Sequence, residues 1–211
     1  MARASRLIGS ALLGYAIGSI PVGVLVGRVS RGIDPRERGS HGMGTANVLR
    51  TVGRGPAAVT LALDIGKGVA AARIGEEICG SRHGGVAAGL GAVLGHSWPV
   101  FAGFRGGKSS ATTFGAAIVV SPQAAAAALL VGVAALGISR RTSVLSLSGA
   151  IAGTLTALGL AVRRRDLTPL ALVGPGVAVV ILRHRDNITR LFKGVEPEMV
   201  VADPPPEGSP A

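Results

Sequence analysis

The amino-acid sequence predicts an all-α integral membrane protein with about seven transmembrane helices. Of its 211 residues, 48% are hydrophobic and only 16% are charged. The apolar residues are gathered into long uncharged runs instead of being spread over amphipathic helices. A run of about 20 such residues is what a hydrocarbon core of about 30 Å requires.

Four of the predicted helices are uncharged runs that can be read directly from the sequence. They are residues 7–27, 84–104, 142–162 and the shorter 167–182. A cleaved signal peptide is the alternative for the first run, because two arginines precede it. That alternative leaves the class of protein unchanged, since six further apolar segments follow.

Two further regions supply the remaining three helices. Residues 109–139 are uncharged but too long for one span, and the sequence "SPQ" at 121–123 divides them into two short helices joined by a tight turn. Residues 55–74 are apolar except for Asp64 and Lys67 near the middle. Seven predicted helices result.

The distribution of Lys and Arg predicts the orientation of these helices. With seven spans, the loops 28–54, 105–108 and 140–141 share one side with the C-terminus, and that side carries 14 of the 22 Lys and Arg residues against 7 on the other. Because positive charge favours the cytoplasmic side, we expect the first set to be cytoplasmic. The cluster 163–165 opposes this orientation.

Several classes of function are disfavoured by composition. The formal net charge of +11 suggests nucleic acid, but only 3% of the residues are aromatic and no soluble domain is predicted. The positive-inside bias and anionic lipid headgroups explain the charge more simply. The single cysteine, Cys79, excludes an intramolecular disulfide framework, and the His and Cys positions lack metal-ligand spacing.

The stretch "GFRGGKSS" at 103–110 ends like a nucleotide-binding P-loop but does not match one. Counting back from Gly107, Lys108 and Ser109 places Ala102 where the first glycine belongs. A P-loop also needs a strand before it and a parallel sheet around it, whereas both flanks here are apolar runs. We therefore expect Lys108 to bind phosphate without a nucleotide.

Small and hydroxylated residues lie beside cations in four segments of the predicted cytoplasmic side. The segments are "RGSHGMGTANVLR" at 38–50, "FRGGKSS" at 104–110, "SRRTS" at 139–143 and "RHRDNITR" at 183–190. Glycines such as Gly106 and Gly107 let a backbone approach an anion closely, while Arg and Lys supply the compensating charge. Together the segments predict a site for one or more phosphate groups at the membrane surface.

Four titratable groups have both a structural and a functional interpretation. Charges inside a span are costly, so Asp64 and Lys67, at an i, i+3 spacing, form either a local salt bridge or part of a site. A lone histidine such as His96 is more often a hydrogen-bonded structural residue than a catalyst. His184 lies between two arginines that disfavour its protonation, which suits a hydrogen-bond donor or a base.

Read together, six motifs resemble the bacterial acyl-phosphate:glycerol-3-phosphate acyltransferase family, PlsY. They are "GSIPVGVLVG" (18–27), "RGSHGMGTANVLR" (38–50), "DIGKG" (64–68), "GHSWPVFAGFRGGKSSAT" (95–112), "SRRTSVLS" (139–146) and "RHRDNITRLFKGVEP" (183–197). The resemblance runs from about residue 14 to residue 197 in the family's order.

The resemblance implies a multi-pass enzyme of phospholipid synthesis in the cell inner (plasma) membrane, with its active site facing the cytoplasm. It implies transfer of an acyl group from acyl phosphate to the 1-hydroxyl of glycerol 3-phosphate, giving lysophosphatidic acid and inorganic phosphate. The partners are these two substrates and membrane lipids, with no cofactor, metal, nucleic acid or nucleotide. We expect residues 1–197 to form one transmembrane domain and residues 198–211 to form a disordered cytoplasmic tail.

The resemblance also implies roles for individual residues. Lys108, His184 and Asn187 are expected to be catalytic: the lysine binds phosphate and the other two orient the acceptor or its hydroxyl. The residues expected to bind substrate are Ser40, Arg50, Lys67, Gly106, Gly107, Ser143 and Ser146.

The sequence departs from the family's pattern in two loops. His41 and Gly42 stand where Gly and Asn are usual, Thr45 and Ala46 stand where Ala and Thr are usual, and Ser109 replaces the glycine of GGKG. A divergent paralogue with another acceptor, or without activity, is therefore one alternative. A transporter of a small organic phosphate is another, which the intramembrane Asp64 and Lys67 favour and the lack of an internal repeat disfavours.

Overall fold

The computed structural model describes residues 2–199, and all regular secondary structure in that range is helical. The all-α prediction is therefore confirmed. The α-helices, in chain order, are α1 (Ala2–Gly18), α2 (Val22–Arg31), α3 (Thr45–Thr51), α4 (Arg54–Cys79), α5 (Arg82–Ser97), α6 (Ser110–Val120), α7 (Pro122–Ser139), α8 (Thr142–Arg164), α9 (Thr168–Arg183) and α10 (Arg185–Phe192).

Four stretches of the described chain are long and apolar enough to cross a membrane. They are Ala2–Arg31, Arg82–Ala102, Pro122–Ser139 and Thr142–Arg164. Helices α6 and α9 are apolar but shorter, and α4 contains Asp64 and Lys67. The predicted number of seven spans requires these three helices to cross as well, and it stays a prediction.

The first predicted span is not continuous, which corrects the prediction of one helix over 7–27. Helix α1 ends at Gly18 and α2 begins at Val22. Pro21 lies between them, and a proline both lacks the N–H group of a helical hydrogen bond and disfavours helical geometry in the residue before it. The break leaves the carbonyl of Ile20 to accept a hydrogen bond from Lys67 Nζ at 3.3 Å.

The predicted helix over 84–104 is also shorter than expected. Helix α5 ends at Ser97, and Pro99 follows two residues later for the same steric reason. Residues 98–109 then form an irregular loop, interrupted by one short turn of 3₁₀-helix, that reaches α6. The division of 109–139 is confirmed, because α6 ends at Val120 and Pro122 is the first residue of α7.

Helix α5 lies at the centre of the bundle, with α1, α4, α6 and α9 packed around it. Helices α1 and α5 approach each other at small residues: a Cβ atom on Gly14 would lie 2.0 Å from the backbone of Ala88, and one on Gly18 would lie 2.2 Å from that of Ala92. Close backbone approach at glycine and alanine is the usual means of packing helices in lipid.

The connections between the long helices collect at two ends of the bundle. At one end Arg82 donates to the carboxylate of Asp166 and to the carbonyl of Val120, both at 2.6 Å, which joins three connections. At the other end Arg36 donates to the carbonyl of Ala102 at 3.1 Å. The four segments that carry the predicted phosphate site belong to this second end.

The predicted tail, residues 198–211, lies almost wholly outside the described residues. Of that range only 198 and 199 are described, and the amide of Met199 donates a hydrogen bond to the carbonyl of Arg140 at 2.7 Å. Residues 198 and 199 thus dock on the connection between α7 and α8, and the predicted boundary at 197 stays a prediction.

Candidate active site

The loop that presents Lys108 is held against the end of α5. The amide of Gly107 donates a hydrogen bond to the carbonyl of His96 at 3.0 Å. A Cβ atom on Gly106 would lie 2.2 Å from that same carbonyl oxygen, and one on Gly107 would lie 2.1 Å from Nε2 of the His96 ring. These glycines are needed for close packing, and the Gly107 amide is already used within the protein.

Arg183, the last residue of α9, holds the other side of the same loop. Its guanidinium donates to the carbonyl of Gly107 at 3.0 Å and to that of Gly106 at 3.2 Å. Its Cζ atom lies 5.7 Å from the centre of the Trp98 ring, within the range of a cation–π interaction. The planar fork of an arginine suits two adjacent carbonyls, so Arg183 ties α9 to the residue before Lys108.

Ser109 keeps the backbone shape that a glycine would have at this position. Its φ angle is 61°, in the left-handed region, where a side chain costs about 1 kcal/mol or more. Its hydroxyl is buried, donates to the carbonyl of Val93 at 2.8 Å and lies 2.6 Å from the hydroxyl of Ser97. These bonds offset the backbone cost and hold the Ser109 side chain between α5 and α6.

Lys108 is bound to α10 and, through it, to the chain that follows α10. The Lys108 ammonium donates to the side-chain oxygen of Asn187. The amide nitrogen of Asn187 donates to a carboxylate oxygen of Glu196 at 2.6 Å, and Arg190 donates to the other carboxylate oxygen at 2.7 Å. Arg141 donates to the backbone carbonyl of Glu196 at 2.8 Å, which adds the connection between α7 and α8 to the cluster.

The surroundings of Lys108 favour a reactive and partly neutral amine. Burial lowers the pKa of Lys108 to about 8, while the charge of Glu196 raises it and the charges of Arg190 and Arg50 lower it further. Burial acts to raise the pKa of Glu196, but hydrogen bonds from its neighbours, first of all Asn187, outweigh this and hold the carboxyl ionised. A phosphate entering the cluster would restore the full charge of Lys108.

His184 is buried between α9 and α10, and its tautomer follows from its one hydrogen bond. Nδ1 lies 2.8 Å from the carbonyl oxygen of Val180. A carbonyl can only accept, so Nδ1 carries the proton and Nε2 keeps a free lone pair. Burial and the charge of Lys108 lower the pKa of His184 to about 4, which makes the ring neutral at pH 7 and a weak base.

An apolar groove leads away from this cluster between α6, α7, α8 and α9. Ser146 lines it, as do Ser110, Gly149, Gly153 and Val177. Ser143 lies about one turn before Ser146 on α8, and its buried hydroxyl lies beside the Glu196 carboxylate, whose pKa it helps to lower. The predicted residues Ser143 and Ser146 therefore lie on one line of α8, from the polar cluster into the groove.

The loop 38–50 is organised by Asn47, which the sequence analysis did not select. The amide nitrogen of Asn47 donates to the carbonyls of Pro35 at 2.6 Å, Gly42 at 2.8 Å and Arg38 at 3.1 Å, and its side-chain oxygen accepts from the amide of Ser40 at 2.8 Å. The side chain of Ser40 is exposed, whereas Arg50 is half-buried.

His41, like Ser109, occupies a left-handed backbone position. Its φ angle is 56°, and Nδ1 of its ring donates to the carbonyl of Arg36 at 3.1 Å. Histidine is among the residues that adopt this conformation more readily than most. Both residues that replace family glycines thus keep a glycine-like backbone.

Asp64 and Lys67 form a buried ion pair at 2.9 Å, which confirms their predicted pairing. Asp64 also lies 3.4 Å from Nδ1 of His96, whose ring supports Gly107. Two of the three Lys67 donors serve Asp64 and Ile20, so the side chain mainly joins α4 to the break after α1. The role of Lys67 in substrate binding stays a prediction.

The structure brings together Lys108, Asn187 and Ser143. Arg50 lies close enough to Lys108 for its charge to shift the pKa of the lysine, and His184 lies close enough for the charge of Lys108 to shift the pKa of the ring. Sequence reasoning missed Arg183 and Glu196. The one acidic side chain in the otherwise basic motif end "RLFKGVE" was a signal that could have found Glu196. Within residues 2–199 no group of three His, Cys, Asp or Glu side chains could hold a metal ion.

Comparison with known proteins identifies the family. The family described as glycerol-3-phosphate acyltransferase matches residues 8–194. A glycerol-3-phosphate acyltransferase of Symbiobacterium thermophilum is 43% identical over 192 residues, which cover 91% of this chain and 94% of the relative.

Two solved structures resemble the fold over nearly the whole chain. Both are crystal structures of PlsY, an integral membrane glycerol 3-phosphate acyltransferase, one in a glycerol 3-phosphate form and one in a lysophosphatidic acid form. The first has a TM-score of 0.81 at 31% identity and covers 92% of this chain and 96% of its own. The second has a TM-score of 0.78 at 31% identity and covers 91% and 94%. The present chain is accordingly an integral membrane protein of the glycerol-3-phosphate acyltransferase family.

Proposed function

We propose that this protein transfers an acyl group from acyl phosphate to glycerol 3-phosphate, giving lysophosphatidic acid and inorganic phosphate for phospholipid synthesis. The observation that carries the proposal is the polar cluster around Lys108 at the end of an apolar groove. Ser143 and Ser146 are about one turn apart on α8, and His184, directly after α9, is bonded to Val180 one turn earlier on that helix, so both helices lead from the cluster to the groove. One substrate with a phosphate and an acyl chain fits both parts.

The phosphate groups of the substrates bind to Lys108 and to the arginines around it. Lys108, Arg50 and Arg190 converge from three separate segments, and Glu196 compensates only part of their charge. Asn187 uses one of the three N–H donors of the Lys108 ammonium, and a phosphate oxygen that accepts from another makes a charge-assisted bond. Ser40 and Arg50, as the resemblance implies, hold the glycerol phosphate.

His184 and Asn187 orient the acceptor hydroxyl. The free lone pair on His184 Nε2 accepts a hydrogen bond from the 1-hydroxyl, which directs a lone pair of that oxygen at the acyl carbon. Because the pKa of His184 is lowered to about 4, the ring is a poor proton acceptor at neutral pH. The substrate's own phosphate takes the proton instead.

The chemistry needs no covalent enzyme intermediate. Acyl phosphate is a mixed anhydride, so the bond between the acyl carbon and the phosphate oxygen is already activated. The hydroxyl oxygen forms the new ester bond as inorganic phosphate leaves. Positioning of the two substrates and stabilisation of the developing negative charge by Lys108 supply the catalysis.

The groove between α6, α7, α8 and α9 takes the acyl chain. Its exposed lining is almost entirely apolar and includes the small residues Ala117, Ala124 and Gly149. The cavity is small in this structure, so an acyl chain has to part these helices as it enters. The acyl product stays in the membrane, and the cytoplasmic orientation predicted from the Lys and Arg distribution would bring water-soluble glycerol 3-phosphate to the cluster.

The two altered loops are compatible with the usual acceptor. His41 and Ser109 both keep positive φ angles, and the Ser109 hydroxyl is bonded to Val93 and Ser97. His41 and Ser109 therefore keep backbone conformations that a glycine adopts, and the Ser109 hydroxyl is engaged by α5. This supports activity on glycerol 3-phosphate over the alternative of a paralogue with another acceptor.

The test is lysophosphatidic acid formation by the purified protein in lipid, with palmitoyl phosphate and glycerol 3-phosphate as substrates. We expect product with acyl phosphate but not with palmitoyl coenzyme A. Lys108→Ala should abolish it, whereas Lys193→Ala, at an exposed lysine, should not. A folded wild-type sample that forms no product, or that forms it only from the coenzyme A ester, would contradict the proposal.

A further inference from the structure

The carboxylate of Glu196 is a buried charge that the reaction described above does not use. The side chain is 5% exposed, although it belongs to the short segment after α10 and is followed by the exposed residues 197–199. Burying a carboxylate is costly unless hydrogen bonds and opposite charge compensate it. Asn187 and Arg190 supply both, one at each carboxylate oxygen.

The bonds around Asn187 fix the direction of its side-chain amide. A carboxylate can only accept hydrogen bonds, so the Glu196 oxygen must face the amide nitrogen of Asn187. An ammonium can only donate, so Lys108 must face the amide oxygen. The order Glu196, Asn187, Lys108 therefore allows a single orientation of the amide.

We propose that Glu196 is a positioning residue of the active site: its buried carboxylate fixes the Asn187 amide so that the amide oxygen holds Lys108 at the phosphate position. The proposal rests on the proposed function for its catalytic consequence. Two further bonds hold the backbone of this segment on the connection between α7 and α8. Arg141 donates to the carbonyl of Glu196, and the amide of Met199 donates to the carbonyl of Arg140.

The charge of Glu196 also acts on the pKa of Lys108, and the direction of that effect can be measured. The charged groups that act on Lys108 come from two helices and the final segment: Arg50 on α3, Asp186 and Arg190 on α10, and Glu196. The neutral ring of His184, after α9, is the other titratable group beside Lys108. Burial is the largest reason that the pKa of Lys108 is low, and Glu196 opposes it. Removing only the charge of Glu196 should therefore lower the pKa of Lys108 below about 8. Loosening the site should raise this pKa, because water would then reach the ammonium and reduce the effect of burial.

The test compares Glu196→Gln, which keeps the shape and removes the charge, with Glu198→Gln. Glu198 is the matched control because it belongs to the same segment, is exposed and makes no ion pair with any described residue. The chain has three lysines, Lys67, Lys108 and Lys193, so the pH dependence of acetylation by acetic anhydride can be followed at each by mass spectrometry. Lys193 serves as an internal exposed reference.

We expect Glu196→Gln to shift the acetylation midpoint of Lys108 to lower pH and to leave that of Lys193 unchanged. It should also reduce kcat by about a hundredfold, since misplacement of a reacting group by about 1 Å costs that much. The alkaline limb of kcat/KM should move to lower pH by the same amount as the acetylation midpoint. Glu198→Gln should match the wild type in every measurement.

Two outcomes would overturn the proposal. One is a Glu196→Gln protein with wild-type kcat and a wild-type Lys108 curve. The other is a Lys108 midpoint that rises, because that indicates that Glu196 only packs the segment. The acetylation experiment needs no turnover. An inactive wild type would therefore contradict the proposed function, while the acetylation curves would still test the role of Glu196.

A second variant keeps the proposal falsifiable if Glu196→Gln does not fold. Arg190→Gln removes a charge that lowers the pKa of Lys108 but leaves the carboxylate and Asn187 in place. Because the proposed function also places Arg190 beside the bound phosphate, the deciding measurement here is acetylation, which needs no turnover. With Glu196 still holding Asn187, we expect the Lys108 midpoint to rise. A midpoint that falls, as expected for Glu196→Gln, would contradict a specific role for the carboxylate.

Discussion

The close approach of Gly107 to the His96 ring leads to a prediction that can be worked from distances. In Gly107→Ala the new Cβ atom would lie 2.1 Å from Nε2 of His96 and 3.0 Å from the two neighbouring ring carbons. Ordinary contact begins near 3.4 Å, so the ring and the loop must separate by about 1.3 Å. The loop cannot move freely, because the Gly107 amide and carbonyl are bonded to His96 and Arg183.

This displacement should act directly on Lys108, the next residue. A misplacement of about 1 Å costs about a hundredfold in rate, so we expect kcat/KM for lysophosphatidic acid formation to fall by about a hundredfold, or about 2.7 kcal/mol. Overpacking should also lower the free energy of unfolding by about 1–3 kcal/mol. The control is Gly66→Ala on α4, where no atom lies within 4 Å of the added methyl group, and it should keep full activity.

A double-mutant cycle separates the steric explanation from a general effect of the substitution. In a His96→Ala background the added methyl group has no ring to meet, so Gly107→Ala should cost less than tenfold there. The reasoning is refuted if Gly107→Ala retains activity within threefold of the wild type. It is also refuted if the penalty is the same in both backgrounds.

Three further predictions concern Arg183, Ser109 and Asp166. Arg183→Lys should lose at least about tenfold in kcat/KM, because an ammonium lacks the planar fork that holds the two adjacent carbonyls. The control is Arg185→Lys at the exposed neighbour, which should leave kcat/KM unchanged. Equal effects of the two substitutions would contradict the role of Arg183. Ser109→Gly should change kcat/KM by less than threefold and the free energy of unfolding by less than about 1 kcal/mol. Glycine adopts the left-handed backbone without strain, and this gain offsets the two lost hydrogen bonds. A larger change in kcat/KM would indicate that the hydroxyl acts in the site. Hydrogen bonds from Thr168 at the start of α9, and to a smaller extent the hydrogen bond and charge of Arg82, lower the pKa of Asp166 to about 2. The ionised Asp166 therefore stabilises the fold above the unfolded pKa of 3.8, and this contribution is lost as pH falls through about 2. Asp166→Asn should therefore lower the melting temperature at pH 7 and reduce its dependence on pH between about 4 and 2, and an unchanged melting curve would contradict this.

The helices were predictable because their signals are local. Uncharged runs and the proline of "SPQ" placed α6, α7, α8 and α9 within a few residues of their observed ends. Pro21 and Pro99 interrupt the helices in the same way, but each lies inside an uncharged run, and the first and third spans were predicted to be continuous. Helix α10 was missed because it is short and polar, so it has no apolar run to reveal it.

The candidate site was predictable in its residue types but not in its contacts. Lys108, Asn187 and Ser143 follow from the motifs, and the structure brings them together. Arg183 was predicted only as one cation of the segment 183–190, and its two carbonyl partners lie 76 and 77 positions away in the sequence. No local pattern indicates a contact of that kind.

The sequence by itself determined the class of protein, the order of its helices and the family, because hydrophobic run length and motif order are written along the chain. The tertiary structure alone decided that Glu196 is buried beside Asn187, that Arg183 holds the loop of Lys108, and that His41 and Ser109 keep the backbone of glycine. The physical reason is that burial and hydrogen bonding depend on which backbones approach one another. In this bundle that approach is governed by small residues on helices far apart in the sequence.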